Sequence, residues 1–125
     1  MLLKLKTIKN FNPIAIVSIF SSSNNIIINV SDISNKTICV GSGGLLGIKG
    51  AKRSTSYAGQ AISALVGKKL LTLGIQYVYV KIKGFGHGRY SSLKGLSHTG
   101  IKILSILDST PTPFNGCKAP KKRRM

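Results

Sequence analysis

The fold is decided by the stretch IQYVYVKIK at residues 75–83, in which Val and Ile alternate with Tyr and Lys. Alternation with a period of two is typical of a β-strand that buries one face. One face carries Gln76, Val78, Val80 and Ile82, and the other carries Tyr77, Tyr79, Lys81 and Lys83. The stretch therefore predicts a strand with one apolar face and one face of tyrosines and lysines.

The tyrosine and lysine face has two interpretations. Aromatic and basic side chains side by side on a sheet resemble the platforms on which RNA bases stack. Alternatively, the tyrosines pack under a helix and the lysines lie near the edge of the sheet, which is the arrangement we expect. We count Lys81 and Lys83 among the candidate RNA contacts.

The residues in front of this strand, 54–73, predict an amphipathic helix. Apolar side chains recur there at steps of three and four: Ala58, Ala61, Ile62, Leu65, Val66, Leu70 and Leu73. One of the three hydroxyl residues at 54–56 can cap its start, and Gly74 can end it. The apolar face of this helix is needed for the core.

Further towards the N-terminus, β-branched stretches at residues 14–20, 25–30 and 37–40 are separated by short polar turns. They predict three strands in an antiparallel meander. Residues 1–13 carry three lysines and no firm periodicity, which predicts a basic N-terminal arm.

After the central strand, residues 84–89 form a glycine-rich loop. Residues 90–99 predict a short helix capped by Ser91 or Ser92, and residues 101–107 predict the last strand. Residues 111–125 hold five cations and no acid, which predicts a basic tail that becomes ordered on a polyanion. The chain thus divides into an arm (1–13), an α/β domain (14–110) and a tail (111–125).

Charge indicates the class of partner. Of 125 residues, 19 are Lys or Arg and 2 are Asp or Glu, which gives a net charge of +17. Such a chain needs a polyanion, and nucleic acid is favoured over an anionic membrane surface. No apolar stretch approaches the length of a membrane-spanning helix, and the one amphipathic helix has its apolar face in the core, so no membrane partner is expected.

The carboxylates argue against catalysis. Asp32 and Asp108 are the only ones, and metal-dependent phosphoryl transfer needs several. Neither His87 nor His98 has a nearby carboxylate or Cys, and Cys39 and Cys117 lack metal-ligand spacing. We therefore expect no catalytic residue, metal or cofactor, and keep a metal-dependent nuclease as the alternative function.

Candidate phosphate contacts follow from the basic loops and tail. The glycine-rich stretch 41–53 ends in Lys49, Lys52 and Arg53 directly before the long helix, and its backbone N–H groups can also meet phosphates. His87 lies in the second glycine-rich loop. The tail contributes Lys118, Lys121, Lys122, Arg123 and Arg124.

The tail also carries a resemblance. The sequence DSTPTPFNGCKAPKKRR at residues 108–124 resembles the signature end of the universal small-subunit ribosomal protein S11 family. Three further motifs occur in that family's order and spacing: SSNN at 22–25, GIKGAKRST with Gln60 at 47–60, and GFGHGR at 84–89. The resemblance covers about residues 14–125.

This resemblance implies a ribonuclease-H-like α/β fold, a mixed five-stranded sheet with two helices, flanked here by the arm and the tail. It implies a structural role in the platform of the small subunit, bound to ribosomal RNA near the exit-site tRNA and upstream mRNA. Small-subunit proteins seven, eighteen and twenty-one would be neighbours, and no homo-oligomer is expected. It adds these candidate RNA contacts: Asn24, Asn25, Ser54, Thr55, Arg89 and Asn115.

The chain departs from the family pattern at several positions, among them Ser23, Ile48, Phe85, His87, Phe114, Lys118 and Ala119. Lys is much more frequent than Arg, and Ile and Asn are common, which indicates AT-rich codons. Together these features favour a mitochondrial ribosome, with a plastid or the bacterial cytoplasm as the alternative.

Overall fold

The computed structural model describes residues 13–124, so the predicted arm lies outside the described residues except for its last position. The chain forms strands β1 (Ile14–Ser21), β2 (Ile26–Ser31) and β3 (Thr37–Ser42), then a 3-10 turn (Gly50–Ser54). Helix α1 (Ser56–Thr72), strand β4 (Tyr77–Lys83), helix α2 (Arg89–His98) and strand β5 (Lys102–Asp108) follow. The order and type of all seven predicted helices and strands are confirmed.

The five strands form one mixed sheet in the order β3-β2-β1-β4-β5. The β1–β2 and β2–β3 pairs are antiparallel, as hairpin-like connections require, and the β1–β4 and β4–β5 pairs are parallel. Parallel neighbours need a crossover, which α1 supplies between β3 and β4 and α2 between β4 and β5. The ribonuclease-H-like mixed five-stranded sheet with two helices is therefore present.

Both helices cover the same face of the sheet. The fully buried side chains of β1, β2 and β4 on that face pack against the apolar stripe of α1 and against Leu96 of α2. The stripe comprises Ala58, Ile62, Val66 and Leu70. Burial of these aliphatic side chains, about 1.5–3 kcal/mol for each Val, Leu or Ile, is the main force that holds the helices on the sheet.

The two helices approach closely at glycines. A Cβ atom at Gly59 of α1 would stand 2.9 Å from the carbonyl oxygen of Gly88, and one at Gly95 of α2 would stand 2.7 Å from the carbonyl oxygen of Gln60. A glycine inside a helix costs up to about 1 kcal/mol relative to alanine. Here that cost is offset because a larger residue would separate α1 from α2.

The predicted cap of α2 is wrong. Ser91 and Ser92 lie inside the first turn, and both hydroxyls donate hydrogen bonds to the carbonyl oxygen of Gly88, at 3.2 and 2.7 Å. The helix begins earlier, at Arg89, with Gly88 in the capping position. For α1 the prediction is confirmed, because Thr55 Oγ1 accepts a hydrogen bond from the N–H of Ala58.

Candidate nucleic-acid interface

The glycine-rich loops and both helix N-termini meet at one end of the strands. We call this surface the loop edge (residues 22–25, 43–57 and 84–90). The carboxyl ends of β1 and β4 lie there, and the N–H of Gly86 donates to the carbonyl oxygen of Ser21 at 2.9 Å. The hydroxyl of Ser56, at the start of α1, donates to the carbonyl oxygen of His87 at 3.4 Å. The fold thus gathers three segments that are far apart in the sequence.

The first turn of the loop edge, residues 22–25, is held by its own polar groups. Ser22 Oγ accepts a hydrogen bond from the N–H of Asn25 at 3.0 Å, and Asn25 Oδ1 accepts one from the N–H of Ile26 at 2.9 Å. Asn24 is exposed. Of the two predicted asparagine contacts, Asn24 therefore presents a free side-chain amide, whereas Asn25 shapes the turn.

Arg53 fastens the first glycine-rich loop. Its Nε donates to the carbonyl oxygen of Ile48 at 2.8 Å, across a loop in which Gly47 and Gly50 adopt positive φ values of 77° and 66°. L residues with side chains rarely adopt such values, so both glycines are required by this loop shape. With the loop held in this way, Lys49 and Lys52 are exposed to solvent.

Two predicted contacts serve the helix start instead. Ser54 is buried and its hydroxyl donates to the carbonyl oxygen of Ala51 at 3.2 Å. The hydroxyl of Thr55 donates to the carbonyl oxygen of Lys52 at 2.8 Å while it caps α1. Both hydroxyls form hydrogen bonds within the protein. Their contribution to ligand binding is therefore indirect, because they fix the backbone that carries the neighbouring lysines.

Sequence reasoning missed an aromatic residue at this edge. Tyr57 is 77% exposed and lines a concave region of about 430 Å³ together with Gly47, Ile48, Lys49, Lys52 and Thr55. An exposed ring beside two lysines can stack on an unpaired base. The available signal was helical periodicity, which places residue 57 off the apolar stripe of α1.

Arg89 and Asp108 form an ion pair at the second loop. The Nη2–Oδ2 distance is 2.7 Å, and the Arg89 side chain is only 17% exposed. Thr110 donates to Asp108 Oδ1 from its hydroxyl at 2.6 Å and from its N–H at 3.1 Å. The hydrogen bonds from Thr110, and then that from Arg89, lower the pKa of Asp108 to about 2.

This arrangement, which we call the Asp108 clasp (Arg89, Asp108 and Thr110), ties the start of the tail to the loop edge. Thr110 Oγ1 also accepts a hydrogen bond from the N–H of Gly84 at 3.2 Å. The predicted RNA contact Arg89 is thus part of the clasp, whereas His87 beside it is exposed. The clasp sets where the tail leaves the domain.

The tail itself is exposed along residues 111–124. Asn115 adopts a left-handed conformation with φ 69°, which Asn tolerates better than most residues with a side chain. The five cations all project into solvent: Lys118, Lys121, Lys122, Arg123 and Arg124. These side chains therefore remain available to a partner.

Our expectation for the tyrosine and lysine face of β4 is wrong. Tyr79 is 40% exposed, and Lys81 and Lys83 are exposed, because both helices pack on the opposite face with Val78, Val80 and Ile82. No helix covers the tyrosines within residues 13–124. Lys81 and Lys83 thus lie on the uncovered face of the sheet, which meets the loop edge at residue 84.

Other kinds of site find no support in the part of the chain that is described. No group of three or more metal-binding side chains occurs within it. None of its helices combines the length and the apolar character that a bilayer span requires. Cys39 and Cys117 are both free thiols; partial burial raises the pKa of Cys39.

Comparison with known proteins gives consistent matches. The family model described as ribosomal protein S11 matches residues 15–124. The small ribosomal subunit protein uS11 of Desulfotalea psychrophila is 42% identical over 122 residues, which is 98% of this chain and 97% of that protein. The protein uS11m of Marchantia polymorpha is 46% identical over 105 residues, 84% of each chain. The uS11 protein of Chlorobaculum parvum is 40% identical over 122 residues, 98% of this chain and 95% of that protein.

Proposed function

The chain belongs to the ribosomal protein S11 family, and we propose from this premise that it binds small-subunit ribosomal RNA in the platform, near the exit-site tRNA and the upstream mRNA. Membership establishes a structural, non-enzymatic role in the small ribosomal subunit. The proposal adds the surface that makes the RNA contacts and the place of those contacts in the subunit.

One observation supports the proposal above all: the loop edge and the tail present their cations on one continuous route. The cations Lys49 and Lys52 are exposed at the edge, as is the imidazole of His87, and the Asp108 clasp attaches the tail beside them. The single carboxylate on this route is already paired with Arg89. A polyanion therefore meets uncompensated positive charge there, which favours phosphate contacts.

The contacts proposed on this route fall into two groups. Side chains free to meet RNA are Asn24, Lys49, Lys52, His87, Asn115 and the five tail cations. Asn25, Arg53, Ser54, Thr55 and Arg89 act by shaping the turn, the loop and the tail exit. Tyr57 joins the first group as a stacking residue.

Neighbouring proteins and location are part of the proposal. Small-subunit proteins seven, eighteen and twenty-one are the neighbours that the family resemblance implies, and mRNA is a further contact. We place the chain in a mitochondrial ribosome; its relatives include both mitochondrial and bacterial forms.

The alternative nuclease function lacks its carboxylate cluster. Asp32 follows β2 at the end of the sheet where β1 begins, because Ile16 pairs with Ser31. Asp108 ends β5 opposite Ile82, where β4 ends. The two carboxylates thus lie at opposite ends of the strands and cannot share metal ions.

The test is the salt dependence of binding to a platform hairpin fragment of small-subunit ribosomal RNA. If six to ten cations meet phosphates, affinity falls by about 10³- to 10⁵-fold between 50 and 200 mM salt. The double variant Arg123→Gln, Arg124→Gln should flatten this slope, and it should lose more affinity than Lys121→Gln, Lys122→Gln because arginine donates to phosphate in a forked geometry. A response to salt that is flat for the unmodified protein would contradict the proposal.

A further inference from the structure

The sheet face opposite the helices, which we call the open face, carries aromatic rings at regular positions. In the parallel β1–β4 register, Ile16 lies beside Tyr79, Ser18 beside Lys81 and Phe20 beside Lys83. Phe20 is 42% exposed and Tyr79 is 40% exposed. Along the strands, Phe20 lies four positions beyond Ile16, the register partner of Tyr79. The two rings are therefore roughly 13 Å apart along the strand direction at the usual rise per residue.

Two rings of the open face have a lysine ammonium group over them. The Nζ of Lys83 lies 5.8 Å from the centre of the Phe20 ring, and the Nζ of Lys102 lies 5.8 Å from the centre of the Tyr77 ring. Both distances fall within the range of cation–π contacts. A lysine in that position can move to a phosphate and leave the ring free for a base.

The charge of the open face has one sign. It carries Lys81, Lys83 and Lys102, and neither carboxylate of the chain faces it. Asp108 pairs in register with Ile82, whose side chain is buried on the helix side, and Asp32 lies in the turn after β2. The face therefore complements a polyanion rather than a neutral apolar surface.

We propose that the open face binds a single-stranded RNA segment, with bases stacked on Tyr79 and Phe20 and phosphates held by Lys81, Lys83 and Lys102. A sheet covered by helices on one side and bearing exposed aromatic and basic residues on the other is the architecture with which protein domains hold unpaired bases. This surface adjoins the loop edge at Phe20 and Lys83 but lies on the face of the sheet, and it goes beyond the proposed function. Ribosomal RNA and mRNA both contain unpaired segments of this chemistry.

A protein partner is the less favoured occupant. The open face does carry exposed aliphatic side chains, because Ile27 pairs in register with Phe20 and Leu107 with Lys81. An apolar protein surface packed on them would also have to bury the adjacent lysines, which is costly without paired carboxylates. Residues 1–12 of the chain itself would add three lysines to a face that already has three. Aromatic rings and like charges together fit an unpaired nucleic acid strand best.

The experiment compares two probes on the full chain at physiological salt: a labelled oligoadenylate of about eight nucleotides and the platform hairpin. Tyr79→Leu removes a stacking ring on the open face, and Tyr57→Leu makes the same change at the loop edge. We expect Tyr79→Leu to weaken oligoadenylate binding by about 5- to 150-fold, the range for the loss of one stacked base, and to leave hairpin binding unchanged. Tyr57→Leu should do the reverse.

Thermal unfolding checks that both variants fold. If Tyr79→Leu does not fold, the double variant Lys81→Gln, Lys83→Gln tests the open face instead. Unchanged oligoadenylate affinity in the open-face variants would overturn the inference, whatever the hairpin does. The inference also fails if such variants keep their affinity but lose a neighbouring protein from assembled subunits, since the face would then be a protein interface. Failure of the proposed function has a different result: the affinity for the hairpin would stay the same in the loop-edge and tail variants.

Discussion

The two faces of the sheet are built from the same alternating strands, yet one is buried under the helices and the other is exposed to solvent. In β2, Ile28 is fully buried under the helices, whereas Ile27 beside it is 39% exposed on the open face. In β4, Val78, Val80 and Ile82 are buried and Tyr79, Lys81 and Lys83 are exposed. Alternation therefore sorts residues into two sets, and the helices select which set becomes the core.

The largest expected effect is a difference in stability between two variants that truncate an isoleucine, one on each face. Ile28→Ala leaves a cavity in the core and should lower the free energy of unfolding by about 2–5 kcal/mol. Ile27→Ala removes a half-exposed side chain and should cost about 1 kcal/mol or less. Chemical denaturation of the two variants measures the difference. Equal losses would mean that the open face is as tightly packed as the covered one.

The second prediction concerns the helix contact that keeps the covered face closed. Gly95→Ala places a methyl group against the Ser63 hydroxyl and the Gln60 carbonyl oxygen, and should destabilise the protein by about 1–3 kcal/mol despite the better helix propensity of alanine.

Gly44→Ala is the matched control, because the nearest atom to its added Cβ is 3.9 Å away. It should change the free energy of unfolding by no more than about 0.5 kcal/mol. If Gly95→Ala proves as mild as this control, the close approach of α1 and α2 is not required for the fold.

The third prediction tests the Asp108 clasp by pH. Because the pKa of Asp108 is lowered to about 2 in the folded protein, the clasp contributes fully above the ordinary aspartate pKa near 4 and is lost as the pH falls through about 2. Thermal unfolding of the unmodified protein should therefore drop over this window more than that of Asp108→Asn. Parallel curves for the two proteins would show that the clasp adds nothing to stability.

The smallest expected effect on stability belongs to the tail. Truncation after Pro113 leaves the Asp108 clasp intact, and residues 114–124 that it removes are exposed, so the unfolding temperature should stay nearly unchanged. The same truncation should reduce incorporation into small subunits, because it removes five cations. A truncated protein that unfolds earlier would show that the tail packs on the domain.

Much of the site could be read from the sequence because charge and glycine content are local properties. Lys49, Lys52, His87 and the tail cations are exposed, as the predicted RNA contacts require, and the contacts themselves stay a prediction. Arg53 and Arg89 could not be distinguished from them, since the hydrogen bond to the Ile48 carbonyl oxygen and the ion pair to Asp108 depend on the folded shape of the loops. Tyr57 was missed because only the folded loop brings Lys49 and Lys52 beside its ring.

The order of strands and helices, the apolar stripe of α1 and the large positive charge all follow from the amino-acid sequence, because periodicity and composition act over neighbouring residues. Only in the folded chain do Tyr77 and Tyr79 prove to face solvent rather than a helix. In the sequence these tyrosines are as apolar as many core residues, and either face of β4 could have been covered. Both crossovers place their helices on the same side of the sheet, where the purely aliphatic face buries more apolar area at no cost in desolvated lysines.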